Sequence, residues 1–279
     1  MLMSALIKTP EAIARMREAA AIVAGTLEMI GAHVRPGITT AQLDRLCHDY
    51  ITDHGAVPAC VGYQGYRHAS CISVNQVVCH GVPGDKALRD GDLLNIDLVA
   101  SCQGWHADSS AMFTAGRPTL AGTRLATLTQ QALYLGLLAV RPGARVGDIG
   151  AAIQRHAQAH GLSVVRDYGG HGIGQQMHEA PEVLHYRTGN PGITLLLGMC
   201  FTIEPMLNAG GHACRTLADG WTVVTRDRSL SAQWEHTVLV TEQGAEPLTL
   251  RPSERQGWLD FVAAQGAPAG GQRGRPLAR

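Results

Sequence analysis

The chain has 279 residues, 45% of them hydrophobic and 16% charged, enough for a sizeable buried core in one large domain or two small ones. Its 23 basic and 23 acidic side chains cancel, which argues against nucleic acid or an acidic membrane surface as the main partner. Seven cysteines, odd in number and without a CxxC pair, argue against a disulfide or thiolate-zinc framework and point to a reducing, intracellular setting. Residues 1–10 lack the charged start and long apolar core of a secretory signal, and runs such as Leu133–Val140 fall far short of a membrane span. The expectation is a soluble, cytoplasmic, monomeric protein.

Thr9-Pro10-Glu11 opens a long helix expected to run to about His33, where Arg35-Pro36-Gly37 breaks the chain. Thr39 and Gln42 have capping-box spacing, and Leu43, Leu46, Cys47, Tyr50 and Ile51 share one face of a second helix closed by Gly55. A Gly/Tyr loop, Gly62–Tyr66, precedes a strand or hairpin over Ala69–Cys79 and the turn His80-Gly81-Val82-Pro83. Then comes the apolar run Leu93–Val99. With period two, Asn95 and Asp97 share one face and Leu94, Ile96 and Leu98 the other. Gly104 offers a turn into a second strand carrying Trp105-His106-Ala107-Asp108. If these strands pair, two carboxylates lie close together inside a sheet, where repulsion and desolvation call for a cation.

After Gly116-Arg117-Pro118 the order begins again. Leu120–Val140 reads as a long helix, Arg141-Pro142-Gly143 breaks it, and a second amphipathic helix ends at His160-Gly161. Arg35–Gly55 and Arg141–Gly161 both run from Arg-Pro-Gly to His-Gly over twenty-one residues, at an offset of 106. Gly91 stands six residues before Asp97, and Gly198 six before Glu204, at an offset of 107. His80-Gly81-Val82-Pro83 has a cousin in His178-Glu179-Ala180-Pro181, at an offset of 98. Two similar α+β halves follow, each with two helices on a strongly bent antiparallel sheet, facing each other across a pseudo-twofold. The division expected is one catalytic domain over residues 1–262, with internal repeats at about 10–116 and 118–245, and a disordered Gly/Pro/Arg tail over 263–279.

Facing halves bring Asp97 and Asp108 towards Glu204 and Glu235, each again an acid on an apolar strand pattern, and towards His171, whose glycine-rich surroundings leave the imidazole unshielded. Four carboxylates and one imidazole form a hard donor set suited to Mn(II), Fe(II), Co(II) or a dinuclear zinc centre. Four negative charges balance two divalent ions.

In these motifs the chain resembles the type I methionine aminopeptidases of the pita-bread peptidase family. The likeness covers about residues 5–250 and rests on Asn95-Ile96-Asp97, His106-Ala107-Asp108, Gly170–Gly174, Met177-His178-Glu179-x-Pro181, Phe201–Pro205 and Ser231-Ala232-Gln233-x-Glu235-His236-Thr237. The resemblance implies the pita-bread fold, an α+β arrangement of two pseudo-twofold-related halves. It also implies that Asp97, Asp108, His171, Glu204 and Glu235 are the metal ligands, with Asp108 and Glu235 bridging. The implied activity removes the initiator methionine of nascent chains when the second residue is small. A metal-activated water attacks the first peptide carbonyl, and Glu204 handles its proton. His178 hydrogen-bonds the carbonyl oxygen, His80 sits near the scissile nitrogen, and the substrate amine docks near Asp97.

The family positions for the methionine slot fall on Cys60, Tyr63, Tyr66, Cys71, Met177 and Trp221. The chain departs from the commonest pattern at Met177, where Phe is usual, and at Gln64, where His is usual between the tyrosines. Asn75 and Ser231 match a family site for a monovalent cation held by backbone oxygens, and transient ribosome contact is open to the tail. Two other readings remain: a prolidase-like dipeptidase sharing the five ligands, and a non-catalytic binding module of the same fold. The short step from Glu204 to Glu235 leaves no room for the helical insertion of type II enzymes.

Overall fold

The structure is a computed structural model and describes residues 6–266. The first helix, Pro10–Gly31, begins where Thr9 Oγ1 accepts the Ala12 amide and Pro10 takes a position whose N–H has no helical partner to lose. It ends two residues before the expected His33. The second helix, Thr40–Asp53, has its full capping box: Gln42 N–H donates to Thr39 Oγ1 and Thr39 N–H to the Gln42 side chain. Leu43, Cys47 and Ile51 form its buried stripe.

The strand Leu93–Cys102 turns through Gln103 and Gly104, at φ +50° and +80°, into the strand Trp105–Thr114. Two left-handed residues suit the right-handed twist of a hairpin. The ladder runs unbroken from Leu93↔Thr114 to Cys102↔Trp105. One face carries Leu94, Ile96, Leu98, Ala107 and Ala111, all fully buried in a core shared with the first helix. Each large aliphatic side chain there contributes about 1.5–3 kcal/mol by leaving water. The other face carries Asn95, Asp97 and Val99 against Met112, Ser110 and Asp108. Asp97 lies opposite Ser110 and Asp108 opposite Val99, so the two acids are diagonal neighbours on one face, as the alternation predicts.

Ser70–Val74 flanks this hairpin and sets Cys71 beside Asp97. The stretch Ala69–Cys79 does contain two strands, but they do not form a hairpin. Asn75, at φ +57°, donates to Asp92 Oδ1 and accepts the Leu93 amide, which turns the chain away. Val77–Cys79 then pairs with Val223–Thr225 in a separate three-stranded sheet.

The second half repeats the plan with helices Leu120–Ala139 and Val146–Ala159 and a five-stranded sheet in the order Gly244–Pro247, His236–Thr241, Cys200–Ile203, Gly170–Gly172, Glu179–Val183. The correspondence extends to single hydrogen bonds. Gly37 N–H donates to Leu88 O, as Gly143 N–H does to Leu195 O; Ala56 donates to Ile51, as Leu162 does to Ala157; Ala59 donates to Val99, as Val165 does to Met206. The bridge Thr39↔Ala87 has its twin in Arg145↔Thr194. Paired glycines share their left-handed torsions: 88° and 86° at Gly37 and Gly143, 75° and 72° at Gly55 and Gly161, 88° and 81° at Gly91 and Gly198. A single hydrophobic core joins both halves, from Val23 and Leu94 to Ile153 and Phe201.

A last helix, Pro252–Gly266, packs beneath the second half. Residues 263–266, expected to begin the tail, continue this helix, and the rest of the tail lies outside the described residues. Among the described residues no helix is long and apolar enough to cross a membrane.

Candidate metal centre and pocket

The polar faces of the two half-sheets are stitched together by hydrogen bonds. Asp108 N–H donates to Thr237 Oγ1 at 2.9 Å, while the Thr237 hydroxyl donates back to the Asp108 carbonyl at 2.8 Å. Ser109 Oγ donates to the Glu235 carbonyl, Glu235 N–H to Ser110 O, and Asn95 Nδ2 to Gln233 O. The seam therefore fixes the strands that bear Asp97 and Asp108 against the segment that bears Glu235, between the strands Ser231–Gln233 and His236–Thr241.

Within the seam, Asp108, His171 and Glu235 each offer a ligand atom within 4.8 Å of the others. His171 Nε2 stands 3.7 Å from Asp108 Oδ2 and 3.7 Å from Glu204 Oε1. Asp97 joins them in lining one cavity of about 360 Å³. All five residues singled out from the sequence thus meet. Their orientation is set from behind: Thr202 Oγ1 donates to Glu204 Oε1 and accepts the His171 amide, and His185 Nε2 accepts the Glu204 amide.

Electrostatics mark this as a place for cations. Burial, opposed by a hydrogen bond from Asp108, pushes Asp97 up to about 7. Burial, with repulsion from Asp97, pushes Glu204 up to about 8. Burial and neighbouring acids push Asp108 and Glu235 well above the carboxylate range. No lysine or arginine lines the cavity among the described residues, and Asp108 Oδ1 is buried without a hydrogen-bond partner. An orphaned carboxylate oxygen, three further acids and one imidazole fit hard divalent ions. Burial and the nearby His178 hold His171 down to about 4, so its ring is neutral and free to ligate.

A second cavity, of about 240 Å³, adjoins the first. Cys60, Tyr63, Tyr66, Cys71, Met177 and Trp221 all line it, as the resemblance implies, with Gln64 at its edge. Burial holds the Cys60 and Cys71 thiols well above their usual range, so both present uncharged sulfur walls. Tyr66 packs on Trp221 at 4.8 Å and anchors its hydroxyl to Ser70 O at 2.9 Å. Gln64 takes a left-handed φ of 47° and donates to the Tyr63 hydroxyl.

His80 and His178, with Asp97 and Asp108, line both cavities and so stand at their junction. The His178 ring lies tilted against those of His171, at 4.1 Å, and Tyr63, at 5.2 Å. Burial, then a neighbouring imidazole, lowers both junction histidines, His80 by way of His178 and His178 by way of His106. His80 adopts φ +54°, a strained conformation of the kind that clusters at functional sites.

Ser231 N–H donates to the Asn75 carbonyl at 2.9 Å, and the buried Ser231 Oγ has no partner, so those two positions do meet. Sequence reasoning missed the rim residues Asp167, Tyr168 and Glu182, and the supports Thr202 and His185. Thr202 had a signal: it stands two residues before Glu204, on the same strand face, as Asn95 stands before Asp97.

Comparison with known proteins agrees with this geometry. The chain is 54% identical over 254 residues to the methionine aminopeptidase of Escherichia coli (strain K12), covering 90% of this chain and 96% of that protein. The crystal structure of methionine aminopeptidase from Rickettsia prowazekii is similar with a TM-score of 0.86 at 48% identity, over 88% of this chain and 99% of that one. The prolidase from Pyrococcus furiosus, 23% identical with a TM-score of 0.70 over 88% of this chain and 65% of that one, shares the fold. Residues 14–242 match the description Metallopeptidase family M24. With facing half-sheets and converging carboxylates, the chain belongs to metallopeptidase family M24 and has its pita-bread fold.

Proposed function

We propose that this protein is a methionine aminopeptidase, which hydrolyses the first peptide bond of chains that begin with Met followed by a small residue. The observation that carries this reading is the contact between two cavities. A carboxylate-rich centre opens directly onto a largely apolar slot of about 240 Å³ with thiol, tyrosine, tryptophan and Met walls, which suits a thioether side chain.

Asp97, Asp108, His171, Glu204 and Glu235 would hold two divalent ions, Co, Mn, Fe or Zn. Such ions supply Lewis acidity and a water that ionises near neutral pH. Glu204 accepts the proton of the attacking water and passes it on to the leaving amine. His178, neutral at pH 7, donates its N–H to the carbonyl oxygen as negative charge develops. His80 supports the peptide beside the scissile nitrogen. Asp97 borders both cavities, so a free α-amine docks there while its side chain fills the slot, and an internal peptide lacks that amine. Met177 gives the slot a more pliable wall than the usual Phe. Backbone oxygens at Asn75 and Ser231 would hold a monovalent cation, beside the unpartnered Ser231 Oγ. The reaction belongs to the cytoplasm, on nascent polypeptides, by a monomer.

The test is metal-reconstituted protein incubated with Met-Ala-Ser, Met-Lys-Ser and Ala-Pro, with products identified by mass spectrometry. Met is expected from Met-Ala-Ser alone. Cleavage of Ala-Pro alone would replace this reading with a prolidase-like one, and no cleavage under any of the four metals would favour a binding module.

A further inference from the structure

We propose that Lys8 and Glu179 form a strut that holds the hairpin tip carrying Met177 and His178 at the junction of the two cavities, which makes Lys8 a positioning residue. The inference rests on the function proposed above. Lys8 is distant from the reaction in sequence and does not line either cavity, yet its ammonium donates to Glu179 Oε2 at 2.6 Å with only 6% of its side chain exposed. The other oxygen, Glu179 Oε1, accepts the Gln176 amide at 2.9 Å. One carboxylate thus joins the lysine to the tip between the strands Gly170–Gly172 and Glu179–Val183.

The lysine is itself fixed on both sides. Its own N–H donates to Gly198 O at 2.8 Å, Ile7 bridges to Met199, and Thr9 caps the first helix. Gly198 lies just before the strand Cys200–Ile203, which leads into Glu204. The anchor therefore adjoins the sheet that carries His171 and leads into Glu204. Gly174 completes the device. A Cβ there would lie 2.5 Å from Lys8 Nζ and 2.8 Å from Glu179 Oε1, so its hydrogen is what admits the ion pair. The far side of the tip is held by His106, whose backbone N–H donates to Gly174 O at 2.9 Å and whose Nδ1 donates to the same oxygen at 3.1 Å.

His178 directly precedes Glu179, and Met177 forms one wall of the slot. A loosened tip moves the carbonyl-oxygen donor and the slot wall together, while the five candidate ligands, on or next to strands outside the tip, stay in place. Misplacement by about 1 Å can cost a hundredfold in rate.

The experiment compares the unaltered holoenzyme with Lys8→Met, Lys8→Arg, Glu179→Gln and the Lys8→Met/Glu179→Gln double variant. Each is assayed on Met-Ala-Ser and Leu-Ala-Ser, with bound metal and amide exchange of residues 174–179 measured alongside. Lys8→Met and Glu179→Gln should each lower kcat about ten- to a hundredfold with a smaller change in KM. Both should narrow the preference for Met over Leu, speed exchange at Gln176 and leave metal content unchanged. The double variant should be no worse than the poorer single one, and Lys8→Arg should keep most of the rate. Unchanged kcat and selectivity in folded variants, or additive losses in the double variant, would overturn the proposal. If Lys8→Met does not fold, the isosteric Glu179→Gln decides on the same readouts. If the unaltered enzyme leaves Met-Ala-Ser intact, the proposed function fails, while unchanged exchange at 174–179 separately sinks the strut.

Discussion

Asp97, Asp108, Glu204 and Glu235 share one cavity that no lysine or arginine among the described residues lines, so in the metal-free protein several of them hold protons at pH 7 that bound ions must displace. The sign of the resulting pH dependence follows from linkage. An acid raised in the folded state, as Asp97 is to about 7 and Glu204 to about 8, binds its proton more tightly folded than unfolded, and stability falls as pH rises through that range. Histidines held low by burial, His171 at about 4 and His185 at about 3, act the other way, but only below the unfolded imidazole value of about 6.5. Between pH about 6.5 and 8 only the acids remain. The metal-free protein should therefore lose thermal stability across that window, and the metal-loaded protein should not. Metal affinity should rise over the same window, and calorimetry in buffers of different ionisation enthalpy should detect released protons. A flat metal-free profile would contradict the assignment. At this scale much of the site was legible, because an acid inside an apolar strand stands out without any knowledge of its partner. Lys8 was illegible for the opposite reason: one lysine before a helix cap gives no hint of a carboxylate 171 residues away.

Among the elements, the central hairpin could be read from its period-two pattern and Gly104, since those two features alone determine which face each acid takes. The last helix could not. Only Glu254 is buried along it, and it is held by polar contacts: Glu254 accepts from the Tyr134 hydroxyl at 2.9 Å and from Gln130 at 3.0 Å, beside His236 and Arg251. On the same face only Trp258 and Phe261 pack against Tyr134, both half-buried, so the apolar stripe is too short to stand out in the sequence. The fate of Val77–Cys79 was hidden because one side-chain knot at Asn75 redirected it. The second helices of the halves solve one problem in two ways at equivalent positions. Asp44 reaches across to the amides of Ala69 and Ser70, whereas Gly150 lets the backbone of Leu184 and Tyr186 come close. A Cβ at Gly150 would meet Leu184 O at 2.4 Å. Gly150→Ala should therefore cost about 1–3 kcal/mol in denaturant unfolding. It should also reduce kcat, because the displaced segment carries His185, the acceptor for the Glu204 amide. Unchanged stability would show that the helix can slide away freely.

For the whole molecule, the twofold relation was visible as matched motifs, and the matched hydrogen bonds give it physical content. The offset is 106 up to Ala59 and its twin Val165 and becomes 107 by Ala87 and its twin Thr194. His80 and His178 stand only 98 apart, so the junction is where the halves diverge in loop length and where the two cavities become unlike. The paired sheets supply a common frame, and the unequal loops supply specificity.

The seam has a mechanical consequence. Ser109 and Glu235, hydrogen-bonded across it, are 126 residues apart in the chain. An ion shared by Asp108 and Glu235 would act as a reversible cross-link closing that long loop, as a disulfide would in an oxidising compartment. An ion that binds only the folded chain adds about 4 kcal/mol at a thousandfold excess over its Kd, equivalent to a Tm higher by about 10 °C. A chelator should remove that increment and speed proteolysis between the halves, and re-added metal should restore both.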